Sequence, residues 1–566
     1  MKEIPRSQQL RLRENQLFLI LTIVVGIIAG LAAVLFSVAI DQVSHRFFGL
    51  SPSFLRLFVV PPLVSLVTGI LLARVFPDVR GSGVPQTEAA YHLAGGAIPG
   101  RVPFGKFVTG VLCIASGHSM GREGPSVQIG AGIASVAGRW LRLPPARIRD
   151  LVPVGAAGAL AAAFNTPVAA VLFALEEIIG DMNAALLGST VVASVAAVIV
   201  ERSILGNEPL FHVPTYRLVH PMELLAYAGL GIIGGALSLV FCKGLLTVRR
   251  LFQRMPAKTR IVQPAIGGLI IGGILLYSPA IMGVGYEYVD QALNGGLLLR
   301  TMAILCLLKL GATIVSYASG NAGGIFAPSL YIGAMAGGAV GAIVHRFAPI
   351  ATADAGAYAL VGMGTLFAGI IRAPMTSVFM IFEITQDYQI LVPLMVANLL
   401  SFVISRRFQP VPVYHALLHQ DGIHLPSPAA HASRTARTAR HVMTADNVSV
   451  LPPDLTIADA WQWAQASDHS IYPVGAPPRL VGAVTWSDLD RLHATDSAGD
   501  PIETIAQKSF VHAHPDHTMD IVLERLAESG GMLPVVSRTD AYRLEGFITA
   551  DSLTRRRRRP TANTMS

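Results

Sequence analysis

Charge is what this chain has least of. Only 14% of its 566 residues are Asp, Glu, Lys or Arg, against 52% hydrophobic, and the mean hydropathy is +0.54. That balance excludes an ordinary soluble globular protein and indicates a polytopic membrane protein. Cysteine is scarcer still. Cys113, Cys242 and Cys306 lie far apart inside apolar runs, which excludes a disulfide framework and a zinc site and leaves buried packing residues. The amino end lacks a small-residue cleavage site after its first apolar run, Leu17 to Ile40, so that run reads as a span and not as a signal peptide. No glycine loop is followed by a lysine at phosphate-loop spacing, and no nucleophile and base pair, metal cluster or cofactor loop stands out, which argues against an enzyme.

The net charge of +8 is distributed as the flanks of membrane spans, not as a nucleic-acid surface. Lys2, Arg6, Arg11 and Arg13 precede the first span, Arg249, Arg250, Arg254, Lys258 and Arg260 fill one loop, and Arg406 and Arg407 follow the last span. The positive-inside bias predicts that all three segments, and with them the carboxy-terminal tail, are cytoplasmic. Composition divides the chain into a cytoplasmic segment 1–15, a membrane domain 16–425, a Pro/Ala/Ser/Thr/Arg-rich linker 426–440, two modules at 441–496 and 497–555, and a basic tail 556–566 suited to anionic lipid.

Within the membrane domain the spans are interrupted by glycine, proline and serine near Gly81, Gly121, Pro167, Gly320 and Pro374. In lipid such breaks are tolerated only where the freed backbone is buried or lines a cavity. The domain is also doubled. Glu123-Gly-Pro-Ser-Val-Gln-Ile-Gly-Ala131 reads against Phe326-Ala-Pro-Ser-Leu-Tyr-Ile-Gly-Ala334, and Asn165-Thr-Pro through Glu176 reads against Arg372-Ala-Pro through Glu383. Two blocks in one order at nearly one offset predict repeats at about 16–205 and 222–408, parallel or inverted, then a final helix with Tyr414.

Four segments are candidates to meet at the midplane: Gly81-Ser82-Gly83-Val84-Pro85, Gly121-Arg122-Glu123-Gly124-Pro125, Gly323-Gly324-Ile325-Phe326-Ala327-Pro328, and Pro412-Val413-Tyr414. In the first three, glycines precede a proline at the first helical turn, so free N–H groups and the helix dipole face a ligand, which must be an anion. Ser82 and Tyr414 add hydroxyl donors. Glu123 is then an acid at a site built for anions. Deprotonated, its carboxylate occupies the anion position; protonated, it vacates it, so proton and anion binding are linked. The plainer alternative is that Glu123 caps a helix while Arg122 pairs with a carboxylate.

These motifs resemble the CLC family of chloride channels and chloride/proton exchangers over the membrane domain and the tail. The resemblance implies an α-helical membrane fold built as an inverted repeat of tilted, discontinuous helices, and a homodimer with one pore per subunit in a bacterial cell membrane. It implies chloride at Ser82, Tyr414 and the amides of Ile325 and Phe326, a second anion at the amides of Arg122 to Gly124, and Glu123 as the gating glutamate. The family's exchangers carry an internal proton-transfer glutamate, the second of a Glu-Glu pair after Asn-x-Pro. Glu176-Glu177 follows Asn165-Thr166-Pro167, so Glu177 takes that role and exchange is expected, with a passive chloride channel as the alternative. Adjacent helical residues point about 100° apart, so only one of the pair faces the proton route. The pair could instead be solvated and structural. Ser82 also fits chloride better than the family's fluoride branch. Lys106 either raises the local potential for anions or snorkels to an interface.

The tail resembles a pair of CBS domains, α/β modules that bind adenine nucleotides (ATP, ADP or AMP). In their Gly-x-x-Thr-x-x-Asp pattern the first copy keeps Gly482, Thr485 and Asp488, while the second has Gly546 and Thr549 but Ser552 for the aspartate. At most one full nucleotide site is implied, the alternative being a structural dimerisation module. No cofactor or metal is required for transport. A nucleotide sensor merely anchored in the membrane would not need the pore motifs.

Overall fold

The computed structural model describes residues 6–49, 52–181, 184–207, 210–211, 213–214, 216, 218–386, 388–425, 438–444, 450–465, 469–549 and 552–553. Residues 1–5, the expected linker as far as residue 437, the tail 556–566 and the side chains of Arg6, Arg11 and Arg13 lie outside the described set. Contacts divide the chain into two units, residues 1–425 and 426–566.

The first half of the first unit runs α1 (Arg6–Phe48), α2 (Phe54–Arg74), α3 (Val84–Leu93), α4 (Arg101–Ala115), α5 (Glu123–Trp140), α6 (Pro145–Phe164), α7 (Pro167–Phe173) and α8 (Ala184–Leu205). The second half repeats the order: α9 (Glu223–Arg254), α10 (Gln263–Tyr277), α11 (Tyr286–Leu293), α12 (Leu299–Ala318), α13 (Phe326–Phe347), α14 (Ala355–Ile370), α15 (Pro374–Thr385) and α16 (Leu391–Phe408). A final short helix, α17 (Val413–Gln420), carries Tyr414. Among the described residues seven helices are long and apolar enough to cross a membrane; several of the others are too short to do so alone.

Packing repeats with the order. Helix α5 packs on α6 as α13 does on α14, and α1 packs on α8 as α9 does on α16. Two elements pack on their own counterparts, α2 on α10 and α7 on α15, which is the contact pattern a two-fold axis produces. At Gly121 and Gly324, which are also counterparts, each N–H donates to the other's carbonyl at 2.8 Å in an antiparallel bridge. The halves therefore run in opposite senses about the axis, and the repeat is inverted.

The helix breaks have local causes. Helix α6 ends on Asn165 at φ 57°, and Pro167 opens α7; in the second half Arg372, at φ 72°, precedes Pro374 and α15. A left-handed residue stops a helix and a proline can only begin one. The orphaned amides at each new start are satisfied across the axis. Glu383 accepts from the amides of Val168 and Ala169 at 2.9 and 2.8 Å, and Glu176 accepts from those of Met375 and Thr376 at 3.1 and 2.8 Å.

Glycine lets the helix pairs touch. A Cβ on Gly130 would lie 2.2 Å from Gly155 O, and one on Gly333 would lie 2.3 Å from Gly362 O. Gly130→Ala must push α5 from α6 and displace the Glu123 end of α5, so a loss of about 1–3 kcal/mol is expected. It is read as a lower melting temperature of the purified protein; an unchanged one would contradict this packing.

The second unit holds two similar cores. Strands β1 (Ile471–Ala476) and β2 (Arg479–Thr485) pair antiparallel with Ile471 opposite Thr485, as do β3 (Met532–Val536) and β4 (Leu544–Thr549) with Met532 opposite Thr549. Helices Ile457–Gln465 and Trp486–Leu492 pack in the first core, Met519–Glu528 in the second. The opening segments are exchanged: Thr444 bridges Phe547 in the second copy, while Gln507 bridges Ala483 in the first. The two copies are thus interlocked: Ile502, past the expected boundary between 496 and 497, packs in the first core with Leu489, while Val442 and Met443 pack against the second.

Candidate functional site

The three glycine-rich stretches are stitched together by backbone. Gly81 N donates to Asn321 O at 3.2 Å, Gly323 N donates to Gly81 O at 3.1 Å, and Gly121 and Gly324 exchange both bonds. Gly83 stands before α3 at φ 103°, and Gln86 Oε1 accepts from its amide at 2.9 Å. Each start leaves amides free, because the first backbone bond within the helix is Ser126 N to Arg122 O in α5 and Ser329 N to Ile325 O in α13. Pro125 and Pro328 lie inside those first turns, where a missing N–H costs nothing.

Polar side chains close around these amides. The hydroxyls of Ser82 and Tyr414 are fully buried, neither in a well-formed hydrogen bond among the described residues, and Ser82 lies close enough to act on the Tyr414 hydroxyl. A Cβ on Gly124 would lie 2.4 Å from Ser82 Oγ, so the Ser82 hydroxyl sits directly against the open start of α5. Ile325 and Phe326 are likewise buried, the Phe326 ring packing on Phe164, Phe173 and Phe367. All four expected segments therefore converge.

Glu123 is fully buried at this junction. Its Oε1 accepts from the Tyr286 hydroxyl at 2.7 Å and its Oε2 from the Ala327 amide at 3.4 Å. The carboxylate thus bridges from the start of its own helix to the first turn of α13. Among the described residues Arg122 makes no hydrogen bond to a carboxylate; it donates to the Ser37 hydroxyl and, at 3.5 Å, to Ala163 O. Its guanidinium carbon lies 5.6 Å from the centroid of the Tyr286 ring, a cation–π contact that steadies the residue holding Glu123.

Glu176 and Glu177 diverge. Glu176 is consumed by capping α15, also accepting from the Thr376 hydroxyl at 2.7 Å. Glu177, in the π-helical stretch Ala174–Ile179 that continues α7, is buried and faces the interior, where Glu88 and Glu176 act on it as like charges and Arg372 as the opposite one.

Lys106 does not snorkel. It is fully buried, and its Nζ donates to Val79 O at 2.8 Å and Gly81 O at 2.6 Å, fixing the loop that presents Ser82. Its counterpart Lys309 does the same for Ile281 O and Gly283 O at 2.9 and 2.7 Å, fixing the loop before Tyr286. Sequence reasoning missed Lys309 and Tyr286. The repeat offset could have found both, since it sets Lys309 on Lys106 and Gly283-Val284-Gly285 on Gly81-Ser82-Gly83. Lys106→Met strands two buried carbonyls at roughly 1–3 kcal/mol each, partly offset by removing a buried charge, so a net loss of about 1–2 kcal/mol is expected. Chloride binding, read by calorimetry, should weaken with it.

In the tail Thr485 and Asp488 are already engaged with each other. Thr485 Oγ1 donates to Asp488 Oδ2 at 2.7 Å, and Asp488 also receives Arg491 and Gln507 at 3.1 Å each. Thr549 and Ser552 make the matching turn, Thr549 N donating to Ser552 Oγ at 2.9 Å. The substitution keeps the local cap and loses the carboxylate.

Broken helices paired about a two-fold axis, with open amino ends meeting among buried polar side chains, define a membrane anion transporter of the inverted-repeat class. The chain belongs to the voltage gated chloride channel family, the CLC proteins, whose profile matches residues 64–406; a CBS domain profile matches residues 502–559. It is 30% identical over 417 residues to the H(+)/Cl(-) exchange transporter ClcA of Vibrio campbellii, covering 71% of this chain and 89% of that protein. It is 34% identical over 376 residues to a putative chloride channel protein ClcB-like of Ralstonia nicotianae, covering 65% and 87%. Among solved structures it is similar to a slow cyanobacterial Cl-/H+ antiporter, at 29% identity and a TM-score of 0.66 over 71% of this chain and 97% of that one. A eukaryotic CLC transporter shares the fold over 94% of this chain and 97% of its own, with a TM-score of 0.62 at 20% identity.

Proposed function

We infer that the chain exchanges chloride for protons, with Glu123 as the proton-switched gate. The observation that carries this reading is the placement of the Glu123 carboxylate on the Ala327 amide, between two helix starts whose free N–H groups suit an anion. Chloride binds at the Ser82 and Tyr414 hydroxyls with the amides of Ile325 and Phe326, and a second anion position lies at the amides of Arg122 to Gly124. A carboxylate and a chloride compete for such donors, and protonation removes the carboxylate from the competition. Proton and chloride binding are then reciprocally coupled. Glu177 supplies protons from the opposite side.

The working unit is a homodimer with a pore in each subunit, set in the lipid of a bacterial cell membrane, with the amino terminus and CBS pair in the cytoplasm; the basic loop 249–260 supports that orientation. The CBS pair modulates transport by binding an adenine nucleotide near Thr485, Asp488 and Thr549. Titrating ATP or AMP into the full-length protein should release heat, with affinity falling tenfold or more in Asp488→Ala; absence of both heat and a thermal shift would end that part.

The name of the Ralstonia relative favours a second reading, passive chloride conduction through the same pore. Purified protein in sealed liposomes separates the two. Under a chloride gradient an exchanger drives protons uphill, whereas chloride flux without proton movement would establish the channel.

A further inference from the structure

Glu177 is buried, and a buried carboxylate that passes protons needs a source in contact with solution. The residues beside it form a graded series of titratable groups. On α3, Glu88 is almost wholly buried, its side chain 3% exposed, and its Oε1 is held by Nε2 of His415 on α17. The His415 side chain is 25% exposed. One turn further along α17, His419 is exposed, its ring 4.6 Å from that of His424. Helix α3 packs both on α17 and on the stretch 174–179 that carries Glu177. The other oxygen of Glu88, Oε2, is buried without a hydrogen-bond partner among the described residues. Among the described residues, the remaining charged groups that act on these residues are Glu176, engaged as a cap, and Arg372, which acts on both His415 and Glu177.

We propose that His415 and Glu88 form the proton uptake site of the transporter, carrying protons from solution to Glu177. This rests on the exchange reading above. Imidazole is the side chain suited to the task, because its unperturbed pKa is about 6.5 and its two nitrogens can accept on one side and donate on the other. A proton from solution binds Nδ1 of His415 while Nε2–H passes its own proton to Glu88 Oε1. The neutral imidazole then returns to its starting tautomer by exchange with solution. The protonated Glu88 carboxyl rotates to present the proton from the Oε2 side, and Glu177 accepts it, directly or across a water. Glu88 returns to the carboxylate, so one proton has moved and no charge is left behind.

A purely structural pair would join α3 to α17 and so position Ser82 and Tyr414, affecting chloride and protons alike. Glu88→Gln separates the two roles, since the amide still accepts from His415 but cannot carry a proton. In liposomes, simultaneous recording of both ions should show the proton-to-chloride flux ratio falling at least tenfold in Glu88→Gln and in His415→Gln. Imidazole added to the buffer should restore proton flux to His415→Ala. If wild type is coupled and both glutamine variants keep its ratio, the uptake site is wrong while exchange stands; if wild type moves no protons, the exchange reading itself has failed. Should Glu88→Gln not fold, the His415 variants decide alone. A parallel fall of both fluxes without imidazole rescue would assign the pair to structure and overturn the proposal.

Discussion

In sealed liposomes, Glu123→Ala continues to pass chloride while its proton flux falls to background. The substitution removes the carboxylate that holds the Ala327 amide and the Tyr286 hydroxyl, and leaves both donors to the anion. Charge-assisted hydrogen bonds contribute about 1.5–3 kcal/mol each, and a negative charge at a helix start adds about 0.3–1 kcal/mol. A carboxylate in this position is therefore a strong competitor for chloride, and its loss should raise occupancy while destroying the only switch that protons can operate there. Glu123→Gln should behave similarly, because the amide still accepts from Tyr286 but has no charge to draw it onto the helix starts. The pH dependence follows with a definite sign. Acidification protonates Glu123 and frees the site, so wild-type turnover rises as pH falls, while both variants lose that dependence. Proton flux persisting in Glu123→Ala would place the switch elsewhere.

The second large effect separates two neighbouring glutamates. Glu177→Gln should abolish proton flux and retain chloride flux, since it removes the inner proton carrier without touching a hydrogen bond seen among the described residues. Glu176→Gln should keep the coupling and cost stability instead. In contrast to Glu177→Gln, it weakens the cap on α15, which holds two amides and the Thr376 hydroxyl, so stability falls by about 2 kcal/mol while the ratio of protons to chloride is kept. Melting temperatures and flux ratios on the two proteins read this contrast. Equal behaviour of both variants would remove the distinction between cap and carrier.

Much of this was legible in the residues because broken helices need glycine, proline and exposed amides at fixed places. The glycine breaks at Gly81, Gly121 and Gly323 and the Pro412-Val413-Tyr414 stretch mark the four convergent segments, and the duplicated blocks mark the halves. The sense of the repeat was not legible, because matching strings carry no direction; it became visible in contacts between counterparts, Gly121 with Gly324 and α2 with α10. Tyr286 escaped because it stands in a loop copy that lost its serine and proline. That Lys106 is buried and holds the Ser82 loop was not legible, because a lone lysine in an apolar run says nothing about the carbonyls it meets. The contact between Glu88 and His415 spans 327 positions, and no local pattern announces it. In the tail, the exchange of opening segments between the copies blurs the boundary that their sequence similarity suggested.

The central claim is that one buried carboxylate couples two ions, and the reversal potential of wild-type protein in a planar bilayer tests it most directly. With chloride concentrations fixed and a pH gradient varied, coupled exchange predicts a zero-current voltage that shifts with the pH gradient, and no such shift in Glu123→Ala. A wild-type reversal potential that stays at the chloride equilibrium value at every pH gradient would contradict the account.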